Sequence, residues 1–179
     1  MSIILLLLRL PILVVHILVG LFTILFFPKE PKNFKNSHYR IMMLWMNILS
    51  SILGIKIDIR GIPDQSANLF VSNHVTYLDI IIINKLLPVN FIAKEEISSW
   101  PVIGRLASKT GTLFIKRGDN VESSKMIYEM EERFKLQNKI VFFPEGKIGN
   151  GKRVRKFHYK LFKSIENKEL YIQPIAIRY

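Results

Sequence analysis

A histidine and an aspartate stand five positions apart in "SNHVTYLDI", residues 72–80, with Asn73 directly before the histidine. A carboxylate behind an imidazole fixes its tautomer. It also stabilises the imidazolium that forms when a hydroxyl gives up its proton, as in a general base. His74 and Asp79 thus fit proton abstraction from a substrate hydroxyl. Thr76 and Asp79 also have the spacing of a capping box, with Asp in the usual Glu/Gln place, so Asp79 equally suits the start of a helix. On this stretch alone both readings stand.

What the chain lacks narrows the chemistry. It has no cysteine, which excludes disulfides and a thiol nucleophile. It has no G-x-S-x-G elbow for a serine hydrolase. Its four histidines are widely spaced, so no metal site is expected. If the pair is catalytic rather than a cap, the reaction it fits is direct attack by a substrate hydroxyl, with His74 as base.

Further polar residues follow apolar runs. Lys116-Arg117 ends "GTLFIKR", where an arginine either holds a phosphate bidentately or stands solvated. Glu145-Gly146 ends "VFFPEG", where proline fixes a turn and glycine permits close backbone approach. That glutamate organises a site or only pairs with a neighbouring cation. Residues 147–163 carry Lys147, Lys152, Arg153, Arg155, Lys156, Lys160 and Lys163 with no acid. They form a solvated basic face or a surface that docks on lipid phosphates. His16 and His38 look incidental, and His158 suits phosphate contact or simple exposure.

The elements that must position these residues alternate between strand and helix. Strands are predicted at 55–61, 68–73, 89–94, 111–117, 139–146 and 170–179, from alternating or continuous apolar runs. Helices are predicted at 77–87, 97–109, 121–137 and 157–166. The helix at 121–137 is capped by Asp119 with Glu122 three later, and it aligns Ile127, Met130 and Phe134. Such alternation predicts an α/β fold, a mostly parallel or mixed sheet flanked by helices. In parallel sheets, sites gather at the carboxyl ends of the strands. His74, Arg117 and Glu145 would then share one crevice.

Ahead of this domain lie two apolar segments. Residues 3–27 hold a single formal charge, Arg9, and as a helix would run about 37 Å, enough to cross a bilayer core. Pro11 would kink that helix, and Arg9 would have to snorkel to an interface. The segment either spans the membrane or dips into one leaflet. A second helix is predicted at 39–53, buried or interfacial, with Met42, Met43, Trp45 and Met46 facing lipid or core and Gly54 as its stop. Two units are therefore expected: 1–53, membrane-associated helices, and 54–179, the α/β domain. The net charge is +12, from 26 Lys+Arg against 14 Asp+Glu. The basic flank at 28–40 places the domain on the cytoplasmic side. There a basic face meets anionic lipid rather than nucleic acid.

Four stretches together resemble the glycerolipid acyltransferase family, especially bacterial 1-acylglycerol-3-phosphate O-acyltransferases, over roughly residues 40–179. Asn73-His74-x4-Asp79 matches the family's first block. Gly111–Arg117 resembles its second, Phe143-Pro144-Glu145-Gly146 its third, and Gln173–Ile177 its proline-centred fourth. "FIAKEEISSWPVIG" (91–104) resembles the stretch between the first two. The resemblance implies a glycerol-3-phosphate acyltransferase-like fold and acyl transfer from acyl-CoA or acyl-carrier protein to a lysophospholipid hydroxyl at a bacterial inner membrane. It makes His74 the base and Asp79 its partner. Arg117, Glu145 and Gly146 would hold the acceptor's glycerol phosphate. No cofactor is implied beyond the acyl donor. Lys147-Ile148 departs from the family's usual Thr, although a lysine there can still serve a phosphate. The chain stops directly after the fourth block, where members usually continue, which points to a short member or a fragment. Acylation of another lysolipid, such as lyso-ornithine lipid, is the neighbouring reading. A non-catalytic lipid-phosphate-binding protein is the third.

Overall fold

The computed structural model describes residues 3–28, 34–116, 120–166 and 168–179, with residues 3–6 and 120 described by backbone alone. Among the described residues, five strands form one sheet: β1 (Ala67–Ser72), β2 (Val89–Lys94), β3 (Leu113–Ile115), β4 (Lys139–Phe142) and β5 (Tyr171–Ile175). Their spatial order is β3-β2-β4-β1-β5, and every adjacent pair is parallel. All five carboxyl ends therefore open on one edge. β4 lies between β1 and β2 and so occupies the centre. Pro174 is accommodated because β5 is an edge strand, with one side of its ladder unused.

Side-chain alternation divides the core into two layers. Leu69, Ile140 and Phe142 point to one face, against Met126, Met130 and Phe134 of α5 (Asn120–Lys135). Phe70 and Val141 point to the other, against Ile83 of α3 (Leu78–Leu86). The four isoleucines at 80–83, strongly β-prone, are helical because Ile83 must reach this apolar face and Thr76 and Asp79 start the helix. A short helix, α4 (Ile103–Lys109), precedes β3, and 3-10 turns cover Glu95–Ser99 and Tyr159–Ile165.

The alternating stretch at 55–61, expected to be a strand, is irregular. Alternation supplies a face, but a strand also needs a partner ladder. β1 already has β4 on one side and β5 on the other, the segment does not pair with the free edge of β5 or β3, and Ile59 and Ile62 remain exposed. The expected cap Asp119 and the basic residues at 29–33 lie outside the described residues.

The apolar N-terminus forms α1 (Ile3–Thr23), which runs through Pro11, followed by a 3-10 turn at Ile24–Phe26. Among the described residues, Leu7–Phe26 is the one stretch long and apolar enough to cross a membrane. It buries a narrow stripe, His16, Gly20 and Ile24, against the rest of the chain. Leu8, Val15, Leu18 and Phe22 are left exposed, a surface suited to lipid.

His16 is not incidental. Its ring stacks on Trp45 of α2 (Asn36–Ile52) at 4.5 Å, and its Nε2 donates to the Trp45 carbonyl at 3.1 Å. Trp45 Nε1 donates back to the His16 carbonyl at 3.2 Å. A Cβ on Gly20 would lie 2.7 Å from Trp45 Nε1, so a glycine lets the two helices close. His38 is also employed: its Nδ1 accepts from the Lys35 backbone N–H and caps α2. Met42 is buried with Phe27 and Tyr39, which favours core packing for that methionine. α2 ends at Gly54 (φ +70°), where the Arg9 guanidinium packs so closely that a Cβ would meet Nη1 at 2.8 Å. At the amino edge of the sheet, the Tyr39 hydroxyl donates to Asn90 Oδ1 at 2.9 Å, fastening α2 to β2.

Candidate active site

β1 delivers Asn73 and His74 to the carboxyl edge of the sheet, and α3 starts four residues later. This short turn brings Asp79 Oδ2 to 2.7 Å from His74 Nδ1. The same oxygen accepts the Val75 N–H at 2.7 Å and the Thr76 N–H at 3.1 Å. Thr76 Oγ1 accepts the Leu78 N–H at 2.8 Å. Capping and pairing with the histidine are thus both done by one carboxylate. Burial pushes the fully buried Asp79 carboxyl up, but its hydrogen bonds from His74, Tyr179, Val75 and Thr76 outweigh this and hold it below the usual aspartate range.

An ionised carboxylate only accepts, so His74 Nδ1 carries the proton and Nε2 keeps its lone pair. Nε2 has no hydrogen-bond partner among the described residues. The ring is held face-on by Phe143 (4.0 Å between centroids, 13° between planes) and edge-on by Tyr77. The imidazole is therefore fixed in tautomer and in orientation.

Two contacts on this turn were not foreseen. Asn73 pairs like a strand residue with the segment after β5: its Oδ1 accepts the Ile177 N–H at 2.7 Å, and its Nδ2 donates to the Ile177 carbonyl at 2.9 Å. This brings the Tyr179 hydroxyl to 2.6 Å from Asp79 Oδ1. Residues about a hundred positions apart meet here, and no local pattern signals it.

β4 delivers the third block. Phe143–Gly146 turns sharply, with the Gly146 N–H donating to the Phe143 carbonyl and Gly146 at φ +66°, a conformation that favours glycine. Glu145 is buried, and its Oε2 accepts the Arg155 N–H at 3.1 Å. The Gly149 N–H donates to the His74 carbonyl at 2.7 Å, and the His158 N–H to the Pro144 carbonyl at 2.8 Å. Residues 149–158 are thus strapped over the strand ends by three backbone donors.

Two concavities meet at Glu145. A small one, about 100 Å³, is lined by His74, Glu145, Gly149, Lys152 and Arg153 among others. A larger cleft, about 640 Å³, runs past Phe143, Glu145 and Gly146. Lys94, Lys116, Lys147, Arg155, Lys156 and Lys160 line it, with Glu145 as the one acid lining it among the described residues. His74, Asp79, Glu145, Gly146 and Lys147 are therefore gathered at one edge, and Lys116 joins them from β3. Arg117 lies outside the described residues. Chemically, the arrangement offers a fixed base beside a cavity and a cationic cleft for an anion next to it.

Comparison with known proteins gives the chain's relatives. Among the most similar relatives is the lyso-ornithine lipid O-acyltransferase of Pseudomonas aeruginosa, 34% identical over 140 residues, spanning 78% of this chain and 54% of the relative. The enzyme of the same name from Rhodobacter capsulatus is 36% identical over 136 residues, spanning 74% of this chain and 49% of the relative. The 1-acyl-sn-glycerol-3-phosphate acyltransferase of Neisseria gonorrhoeae is 29% identical over 147 residues, spanning 81% and 57%. The chain thus spans about half the length of the curated relatives it matches. In structure it resembles the 1-acyl-sn-glycerophosphate (LPA) acyltransferase PlsC of Thermotoga maritima, with a TM-score of 0.59 at 19% identity, over 75% of this chain and 55% of that one. This likeness establishes the shared fold. The family model described as Acyltransferase matches residues 56–178, from the segment ahead of β1 to the penultimate residue, and the chain belongs to that family.

Proposed function

We propose that this chain transfers a fatty acyl group from acyl-CoA or acyl-carrier protein to the sn-2 hydroxyl of 1-acyl-glycerol-3-phosphate, giving phosphatidic acid. His74 Nε2 takes the hydroxyl proton as the oxygen attacks the thioester carbonyl. Asp79 stabilises the imidazolium so formed. When the C–S bond breaks, the imidazolium returns the proton to the departing thiolate, and the base is regenerated. The thioester is already activated, so the transfer asks the protein for positioning and proton transfer. It calls on no cofactor beyond the donor.

The cationic cleft beside Glu145 carries the choice of acceptor. Lys116 and Lys147, with Arg117 beyond Lys116, suit a phosphate monoester. Glu145 and Gly146 shape the turn beneath it. The exposed apolar face of α1 seats the chain on a membrane, with the α/β domain on the cytoplasmic side. The second reading is a lyso-ornithine lipid acceptor, favoured by the relatives from Pseudomonas and Rhodobacter. An ornithine headgroup carries an ammonium as well as a carboxylate, and six cations against one acid among the described lining residues fit it less well.

The test uses purified protein in detergent, labelled acyl-CoA or acyl-carrier protein, and a panel of lysolipids. Phosphatidic acid as main product supports the reading. Acylation of lyso-ornithine lipid alone selects the second reading. Phosphate-lipid binding without transfer selects a non-catalytic protein.

A further inference from the structure

Asp79 receives four donors, and they are unevenly shared. Oδ2 accepts from His74, Val75 and Thr76, whereas Oδ1 accepts from Tyr179 alone among the described residues. We propose that Tyr179 is a positioning residue of the His74–Asp79 pair, its hydroxyl anchoring Oδ1 so that Oδ2 stays in line with His74 Nδ1. The inference rests on His74 being the base. Tyr179 lies one residue beyond the stretch matched by the family model.

Tyr179 as a whole residue is 60% exposed and belongs to neither apolar core cluster, so no demand of core packing explains a tyrosine there. Its hydroxyl, by contrast, is fully employed. The Asp79 carboxylate only accepts, so the Tyr179 proton goes to Oδ1, and the bond to Thr76 Oγ1, 3.2 Å away, is donated by Thr76. The two bonds between Asn73 and Ile177 hold the segment that delivers this hydroxyl. Burial and the bond to Asp79 push the Tyr179 hydroxyl up to about 12, so it stays a donor at any working pH. Without it, Oδ1 is a buried carboxylate oxygen lacking a partner, and the carboxylate is held from the Oδ2 side alone.

The hydroxyl also takes up part of the carboxylate's charge. Besides Asp79, the titratable or charged groups facing His74 are Tyr77 on the ring edge, and Glu145, Lys152 and Arg153 in the small cavity. None of them touches Oδ1. Losing the Tyr179 hydroxyl leaves more negative charge for the imidazolium, so His74 should hold its proton to higher pH.

The experiment compares wild type with Tyr179→Phe, which keeps the ring. Turnover is followed against pH, and the His74 imidazole is titrated by NMR, its signal assigned with His74→Ala. The expected result is a kcat about tenfold lower, from loss of one charge-assisted hydrogen bond. The KM for acceptor should be unchanged, since Tyr179 lines neither cavity. The acid limb of the profile and the NMR titration should both move to higher pH than in wild type. A wild-type limb, kcat and titration in Tyr179→Phe overturn the role and leave only a tie for the chain's last residues. If His74→Ala retains wild-type turnover, the assigned base is what fails, and the NMR titration still reports the coupling of Tyr179 to His74.

Discussion

Asp79→Asn separates the charge of Asp79 from its geometry. An amide has one acceptor and one donor end, and the site dictates which goes where. The Oδ2 position faces three donors, the Val75 and Thr76 N–H groups and His74 Nδ1. Placing the amide NH2 there would oppose two backbone donors that cannot move, so the asparagine carbonyl takes the Oδ2 position. Its NH2 then faces Tyr179, whose hydroxyl oxygen accepts. His74 therefore keeps its Nδ1–H tautomer, and what disappears is the negative charge behind the imidazolium. Where the same exchange reverses the tautomer of a catalytic histidine, the loss is about ten-thousandfold. Here the loss should be about a hundredfold in kcat, corresponding to about 2.7 kcal/mol. Acceptor KM should change little, because Asp79 is buried behind the histidine. The helix should persist, with α3 losing only the charge at its N-terminus, about 0.3–1 kcal/mol. Rates in detergent micelles and circular dichroism on one preparation give both readouts. Full activity in Asp79→Asn would reduce Asp79 to a cap. A loss as large as that of His74→Ala would refute the argument about the tautomer.

Further outcomes follow from the same contacts. Because the folded carboxyl of Asp79 is held below its unfolded range, its contribution to stability is fully present above about pH 4 and is lost as pH falls through the lower folded value. The melting-temperature gap between wild type and Asp79→Asn should accordingly narrow below about pH 4; a gap independent of pH would show that the charge contributes nothing. Lys147→Glu places a second acid in the cleft beside Glu145, and should raise the acceptor KM about tenfold at low salt, less at high salt, with kcat nearly kept. An unchanged KM would remove Lys147 from the acceptor site.

Local patterning reveals most of the elements and little of how they meet. β2 is legible residue for residue in "VNFIAK", and α5 in the stripe through Met130 and Phe134, because period and burial coincide there. The strand expected at 55–61 shows the limit: alternation records a preference, but ladder pairing decides, and this segment pairs with none of the five strands. The site divides the same way. His74, Asp79 and the Phe143–Gly146 turn are readable because each block is short and contiguous. Asn73 with Ile177, Tyr179 with Asp79, and His16 with Trp45 are not, since each contact joins distant residues whose identities suggest nothing locally. The helix–strand competition at Ile80–Ile83 is settled by tertiary packing, which overrides β propensity.

The central claim is that His74 Nε2 removes the acceptor's proton. Its most direct measurement is the rate of labelled phosphatidic acid formation from 1-acyl-glycerol-3-phosphate by His74→Ala against wild type, at equal folded concentration. The predicted rate is at least about a thousandfold lower, the upper part of what a positioned base contributes. Transfer by His74→Ala within about tenfold of wild type would contradict it.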